Sequence, residues 1–157
     1  MCRKLANGEF DIKIIDFGLS MVSDKKMHTS SVGTPYYVAP EIINGKHDYK
    51  CDIWSLGVLM YILLSGYMPF PGKSSDEILV NVLKAKYTFV MSEWDSVSSE
   101  AKDLISHLLV KNPKKRYTAS EALEHPWFKM EPETAQHTLD SEILVKLKNY
   151  HSKSKFY

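Results

Sequence analysis

The apolar stretch IWSLGVLMYILL at 53–64, free of charge, is too short to cross a bilayer and has the length of a helix buried on all sides in a soluble core. Asp52 stands just ahead of it, where a cap or first-turn carboxylate meets free backbone N–H groups, and Gly66 stands just behind, where helices stop. The pattern predicts smaller elements hung on this hub. FDIKII at 10–15 alternates, and is β-branched enough for a short strand ending at Asp16, with residues 1–6 left to supply a partner across the Ala6-Asn7-Gly8 turn. Residues 19–40 lose periodicity and fill with Ser, Thr, Lys, Gly and Pro, a loop long enough to suggest function. A short helix is predicted at 40–43. An amphipathic one follows at 74–84 on Ile78, Leu79, Val82 and Leu83, and another at 98–110 on Ala101, Leu104, Ile105, Leu108 and Leu109, with Ser98 as its cap. Thr118 caps a third at 119–124, stopped by His125-Pro126. A linker follows at 129–140, and helical period returns from 141 on Ile143, Leu144, Leu147 and Tyr150. The expected fold is mainly α, with one short strand at its front edge.

Composition changes this picture little. A chain of 157 residues, 44% hydrophobic and 25% charged, makes one domain with a real core. A net charge of +1 supplies no field for gathering nucleic-acid phosphates, and no span is long enough for a membrane. Cys2 and Cys51 cannot make a disulfide framework and have no zinc-ligand spacing. The charges at Arg3, Lys4, Glu9, Asp11, Lys13 and Asp16 leave no apolar leader, so a cytoplasmic location is expected. The six histidines show no paired ligand spacing and read as surface or packing residues. Residues 66–74 end like a P-loop, but carry two prolines where backbone N–H groups would have to cradle phosphates.

The chemistry lies in Asp16-Phe17-Gly18, then a hydroxyl-rich stretch, then Gly33-Thr34-Pro35-Tyr36-Tyr37-Val38-Ala39-Pro40-Glu41. A strand running into D-F-G, with A-P-E about two dozen residues later, is a paired signature, and DIWSLG at 52–57, Arg116 in NPKKR and HPWF at 125–128 follow in order. The chain resembles the C-terminal lobe of a eukaryotic Ser/Thr protein kinase over about 10–128, the helical subdomain of a two-lobed α+β fold. GTPYYVAPE, LLSGYMPFPG and TASEALEHPWF make it most similar to the calcium-dependent protein kinases and the calcium/calmodulin-dependent group. Met68 stands where proline is more usual in that group, and Asn112 where aspartate is.

The resemblance implies ATP and Mg²⁺ as cofactors, with Asp16 as a metal ligand and Asp16 and Ile15 beside the nucleotide. It makes Phe17 a packing switch and Gly18 the residue that lets the backbone turn. It makes Ser30, with Thr29 and Ser31 as alternatives, the site of an ordering phosphorylation. Gly33, Thr34, Pro35, Tyr36, Tyr37 and Val38 become the platform for a protein substrate. Glu41 and Arg116 become a buried structural ion pair, and Asp52 an organiser that accepts backbone N–H groups of a catalytic loop.

The segment 141–157 carries Lys146, Lys148, Lys153 and Lys155 on an amphipathic pattern of the kind gripped by calmodulin or by a calmodulin-like EF-hand domain in the same protein. No EF-hand Ca²⁺ loop occurs in the chain. Nor does a Gly-rich loop, a lysine strand or an H-R-D-x-x-x-x-N loop, so no catalytic base is assigned and the 157 residues are expected to be an inactive fragment of a larger kinase. The alternatives are a non-catalytic lobe that binds substrate or a calmodulin-like partner, and a helical protein with accidental motifs.

Overall fold

The computed structural model describes residues 2–4, 8, 10–15, 17, 20, 35–45, 48–130 and 145–147. The front edge is an antiparallel pair, β1 (Cys2–Lys4) and β2 (Phe10–Ile12), in the register Cys2↔Ile12, Arg3↔Asp11 and Lys4↔Phe10. One strand at this edge was expected and two are found, because a single strand leaves its ladder of N–H and C=O groups unpaired. β2 is also shorter than the 10–15 pattern, and Ile14 and Ile15 lie exposed beyond it.

The body is helical: α1 (Pro40–Ile43), α2 (Lys50–Ser65), α3 (Ser75–Lys84), α4 (Ser99–Leu108) and α5 (Ala119–Leu123), with 3₁₀ turns at Ser92–Trp94 and Pro126–Phe128. Local chemistry explains most boundaries. The hydroxyls of Ser74, Ser98 and Thr118 accept the backbone N–H groups of Glu77, Ala101 and Glu121, each at 3.2 Å. At α5 the Glu121 carboxylate returns to the Thr118 N–H at 2.7 Å, closing a capping box. In the near-P-loop, the Lys73 N–H goes to Glu77 Oε2 at 2.8 Å, so it serves the start of α3. α4 ends at Leu108, two residues short of the expected 98–110.

α2 begins earlier than its apolar run, at Lys50, whose N–H is accepted by Asp48 Oδ1 at 2.9 Å; Asp52 lies in the first turn and is not the cap. Its end is Gly66 at φ 74°, a left-handed cap whose N–H reaches Ile62 O at 2.7 Å. One side of α2 carries the main core, where Trp54, Val58, Tyr61 and Ile62 meet Phe70, Val82 and Trp94. Trp54 stacks on Phe70 at 5.3 Å, and the Tyr61 and Trp94 rings are 4.7 Å apart. A second cluster joins Ile53 to Leu104, Leu108 and Ala122. Gly57 permits this approach of α4, since a Cβ there would stand 2.8 Å from Leu108 Cβ.

The expectation of burial on all sides is corrected. Leu56, Leu59 and Leu63 are 48%, 42% and 48% exposed, and they line an apolar groove of about 410 Å³ with Leu104, Leu123 and Phe128. An uncharged sequence reports that a helix tolerates cover everywhere, whereas the described elements cover only part of it. Among the described residues, no helix is long and apolar enough to cross a membrane.

Candidate functional site

The described part of the expected platform, residues 35–38, and the expected ion pair lie together at the start of α2. Residues 35–37 make a turn, Val38 and Ala39 are buried, and Pro40 opens α1 with Glu41 in its first turn. Proline suits a first helical position, where no N–H is needed. Glu41 and Arg116 are 7% and 1% exposed and pair with both carboxylate oxygens, Nη1 to Oε1 at 2.5 Å and Nη2 to Oε2 at 2.9 Å. The guanidinium has other anchors. Its Nε donates to Val110 O at 3.0 Å and its Nη1 to Lys50 O at 2.7 Å, while Lys50 Nζ donates back to Arg116 O at 2.7 Å. The guanidinium carbon also lies 5.1 Å from the Trp54 ring centre. A buried charge needs this degree of satisfaction to be tolerated.

The loop delivering Arg116 is shaped by Asn112. Its Oδ1 accepts the Lys114 N–H at 3.0 Å, and its carbonyl accepts from Lys115 and Arg116. An amide oxygen performs here what a carboxylate oxygen would, so the departure at this position preserves the turn. Met68 is half-buried against the main core.

Two contributors escaped the sequence reading. Ser55 donates to Tyr37 O at 2.8 Å and so ties the platform to α2. Lys50 clasps the Arg116 backbone. A polar residue recurring inside an apolar helical run was the available signal for Ser55; nothing in the sequence pointed Lys50 at Arg116. Beneath the platform, burial first, and then Asp52, Glu41 and Asp48, push the Cys51 thiol up to about 11. Asp52 itself is exposed, with the Cys51 thiol 3.8 Å from Oδ1. Phe17 and Ile15 are 69% and 58% exposed. Asp16, Gly18, Thr29, Ser30, Ser31, Gly33, Thr34 and most of 141–157 lie outside the described residues.

Asp103, His107 and His125 also converge. His125 Nδ1 lies 3.2 Å from the Trp127 N–H and accepts from it, which leaves the proton on Nε2 to donate to Asp103 Oδ2 at 3.0 Å. The nitrogen that would face a metal is thereby committed to a carboxylate, and the cluster fastens α4 to the turn after α5. This agrees with reading these two histidines as packing residues.

A helical lobe whose A-P-E glutamate is locked to an arginine 75 residues downstream, beside a tethered turn at 35–37, defines the large lobe of a protein kinase. The family model described as "protein kinase domain" matches residues 4–128, and the chain belongs to that family. Calcium-dependent protein kinase 3 of Plasmodium yoelii yoelii is 51% identical over 144 residues, covering 88% of this chain and 27% of the relative. Calcium-dependent protein kinase 5 of Plasmodium falciparum is 46% identical over 144 residues, with 89% and 25% covered. Calcium-dependent protein kinase 29 of Arabidopsis thaliana is 41% identical over 145 residues, with 92% and 27% covered. The chain thus spans about a quarter of the length of these curated relatives.

Proposed function

We propose that these residues form the substrate-platform and activation-segment part of a calcium-regulated Ser/Thr protein kinase, which transfers the ATP γ-phosphate to protein Ser or Thr. The observation that carries this reading is the Glu41–Arg116 pair. It fixes α1, the start of α2 and the 110–116 loop to one another, and with the Ser55 tether it holds 35–38 in one shape. Positioning of this kind is the main protein contribution to phosphoryl transfer, where little covalent chemistry falls to side chains. The nucleotide supplies the phosphoryl group, and Mg²⁺ would neutralise charge on it. Asp16 is the residue that would hold the metal, because a hard cation requires carboxylate oxygen. The 33–38 stretch would present the acceptor segment, and phosphate on Ser30 would order the loop ahead of it. The 141–157 segment is the proposed handle for a Ca²⁺-loaded calmodulin-like domain. A cytosolic setting, supported by the two lone cysteines, belongs to the same proposal.

Because the base-bearing H-R-D motif does not occur in these 157 residues, the chain by itself should not transfer phosphate. The test is transfer from labelled ATP to a basic peptide by the purified chain. No turnover is expected; turnover abolished by Asp16→Ala overturns the assignment of inactivity. A second reading, a non-catalytic lobe that binds peptides, is favoured by the completeness of the 35–41 anchor within the chain itself. Saturable binding of the basic peptide, lost in Arg116→Met, would support it.

A further inference from the structure

Between α3 and the 3₁₀ turn at Ser92–Trp94, the residues KYTFVM at 86–91 lie outside any helix and alternate strictly in exposure. Lys86, Thr88 and Val90 are exposed, Val90 at 84%, whereas Tyr87, Phe89 and Met91 are half-buried and pack on the main core. A period of two is that of extended chain. Aromatic rings hold its inner side: Tyr87 meets Phe70 edge-on at 6.1 Å, and Phe89 lies 4.6 Å from Trp94. The Tyr61 hydroxyl donates to Thr88 O at 2.8 Å, so the edge carrying the N–H and C=O groups of the even-numbered residues faces α2. The opposite edge carries those of Tyr87, Phe89 and Met91. Among the described residues, the one hydrogen bond these backbone groups make is from the Trp94 N–H to Met91 O at 2.9 Å. Unpaired backbone groups must face water or a partner, and a rigid extended edge is a template for another strand.

The charges at its ends say which strand. Lys84 and Lys86 stand at the start of the stretch, and Glu93 and Asp95 at its finish. Glu93 is taken by Lys146, while the Lys86 and Asp95 side chains have no hydrogen bond or ion pair among the described residues. A strand positive at one end and negative at the other is complementary to itself when run antiparallel. We propose that 86–91 is a strand-pairing surface for a second copy of this chain, joined antiparallel about a two-fold axis at Phe89. In that register Phe89 exchanges N–H···O bonds with the second Phe89, and the Met91 N–H donates to the second Tyr87 O. Thr88 then faces the second Val90 on the outer side, a β-branched pair, and Lys86 meets the end that carries Asp95. One short strand pair buries less than a standard interface, so the dimer is weak and forms with rising concentration.

Sedimentation velocity of the whole chain over a rising concentration series is expected to show monomer passing to dimer, with amide hydrogen exchange at Phe89 and Met91 slowing in step. Val90→Lys changes only an exposed side chain. It should weaken the dimer about tenfold, since symmetry applies the loss of the Thr88–Val90 pair twice. Lys86→Glu or Asp95→Lys alone sets like charges against each other at both ends, and should return the chain to monomer at concentrations where wild type pairs. An equimolar mixture of these two variants should dimerise again, which a loss of folding would not produce. Monomer at every concentration overturns the surface. So does a dimer that survives Val90→Lys and both charge variants unchanged, because another face, such as the α2 groove, then holds it.

Discussion

Glu41→Gln keeps the shape of the side chain and removes one charge from a pair that is almost wholly inaccessible. Two charge-assisted hydrogen bonds are lost or weakened, at about 1.5–3 kcal/mol each. Breaking a buried pair from one side costs about 3–5 kcal/mol by the independent measure of leaving the partner charge uncompensated. Arg116 would keep its bonds to the Val110 and Lys50 carbonyls, which argues for the lower half of that range. Against a stability of about 5–15 kcal/mol for a domain, the loss is large, and at about 2–4 °C per kcal/mol it lowers Tm by roughly 6–16 °C. Thermal unfolding followed by near-ultraviolet circular dichroism measures it, because Trp54 lies beside the pair. Arg116→Met should cost at least as much, while the double variant Glu41→Leu/Arg116→Met, with no orphaned charge, should be less destabilised than the sum of the singles. A fall under about 2 °C in Glu41→Gln, or strictly additive losses, would refute the account of a coupled buried pair.

Gly57→Val should destabilise the chain by about 1–3 kcal/mol in denaturant titration, since its Cβ would be driven against Leu108 Cβ, which is fixed to the backbone of α4 and cannot swing aside. Cys51 should label slowly. Its thiol at about 11 rather than 9.0 lowers the thiolate fraction about 100-fold at pH 8, and the greater nucleophilicity of a more basic thiolate returns about tenfold. In a Cys2→Ser background, disulfide-exchange labelling should thus be roughly tenfold slower in the folded than in the urea-unfolded chain, and equal rates would dismiss the effect of burial. The Glu121 carboxyl is held below its ordinary 4.5, chiefly by the Thr118 N–H. A lowered folded value means that its contribution is complete above 4.5 and is lost as pH falls below that through the folded value, so Glu121→Gln should flatten the acid limb of stability in that window.

Helix starts were legible because the capping residue and the N–H groups it serves are neighbours in sequence, as at Ser98 and Thr118. The Glu41–Arg116 pair was legible only through family resemblance, since no local pattern joins residues 75 apart. Asp48 at the start of α2 was missed because Asp52 offered the same chemistry four residues later. The contact of Lys146 with Gly66, Tyr67 and Glu93 was hidden for a different reason. A lysine in a basic run looks solvated, and what makes it a contact is a glycine cap, a tyrosine and a glutamate that only the fold brings together.

α2 shows how far composition can be carried. Leu56, Leu59 and Leu63 fall on one face at spacings of three and four, the same periodicity that buries Trp54, Val58 and Tyr61 on the other. Periodicity therefore distinguishes two faces and says nothing about which is covered. An open apolar groove of this size is ordinarily covered by more protein. With relatives about four times as long, that groove favours reading α2 as the hub of a larger kinase domain over reading these residues as a self-sufficient module. A module selected to stand alone would be expected to carry polar residues where Leu59 and Leu63 now meet water.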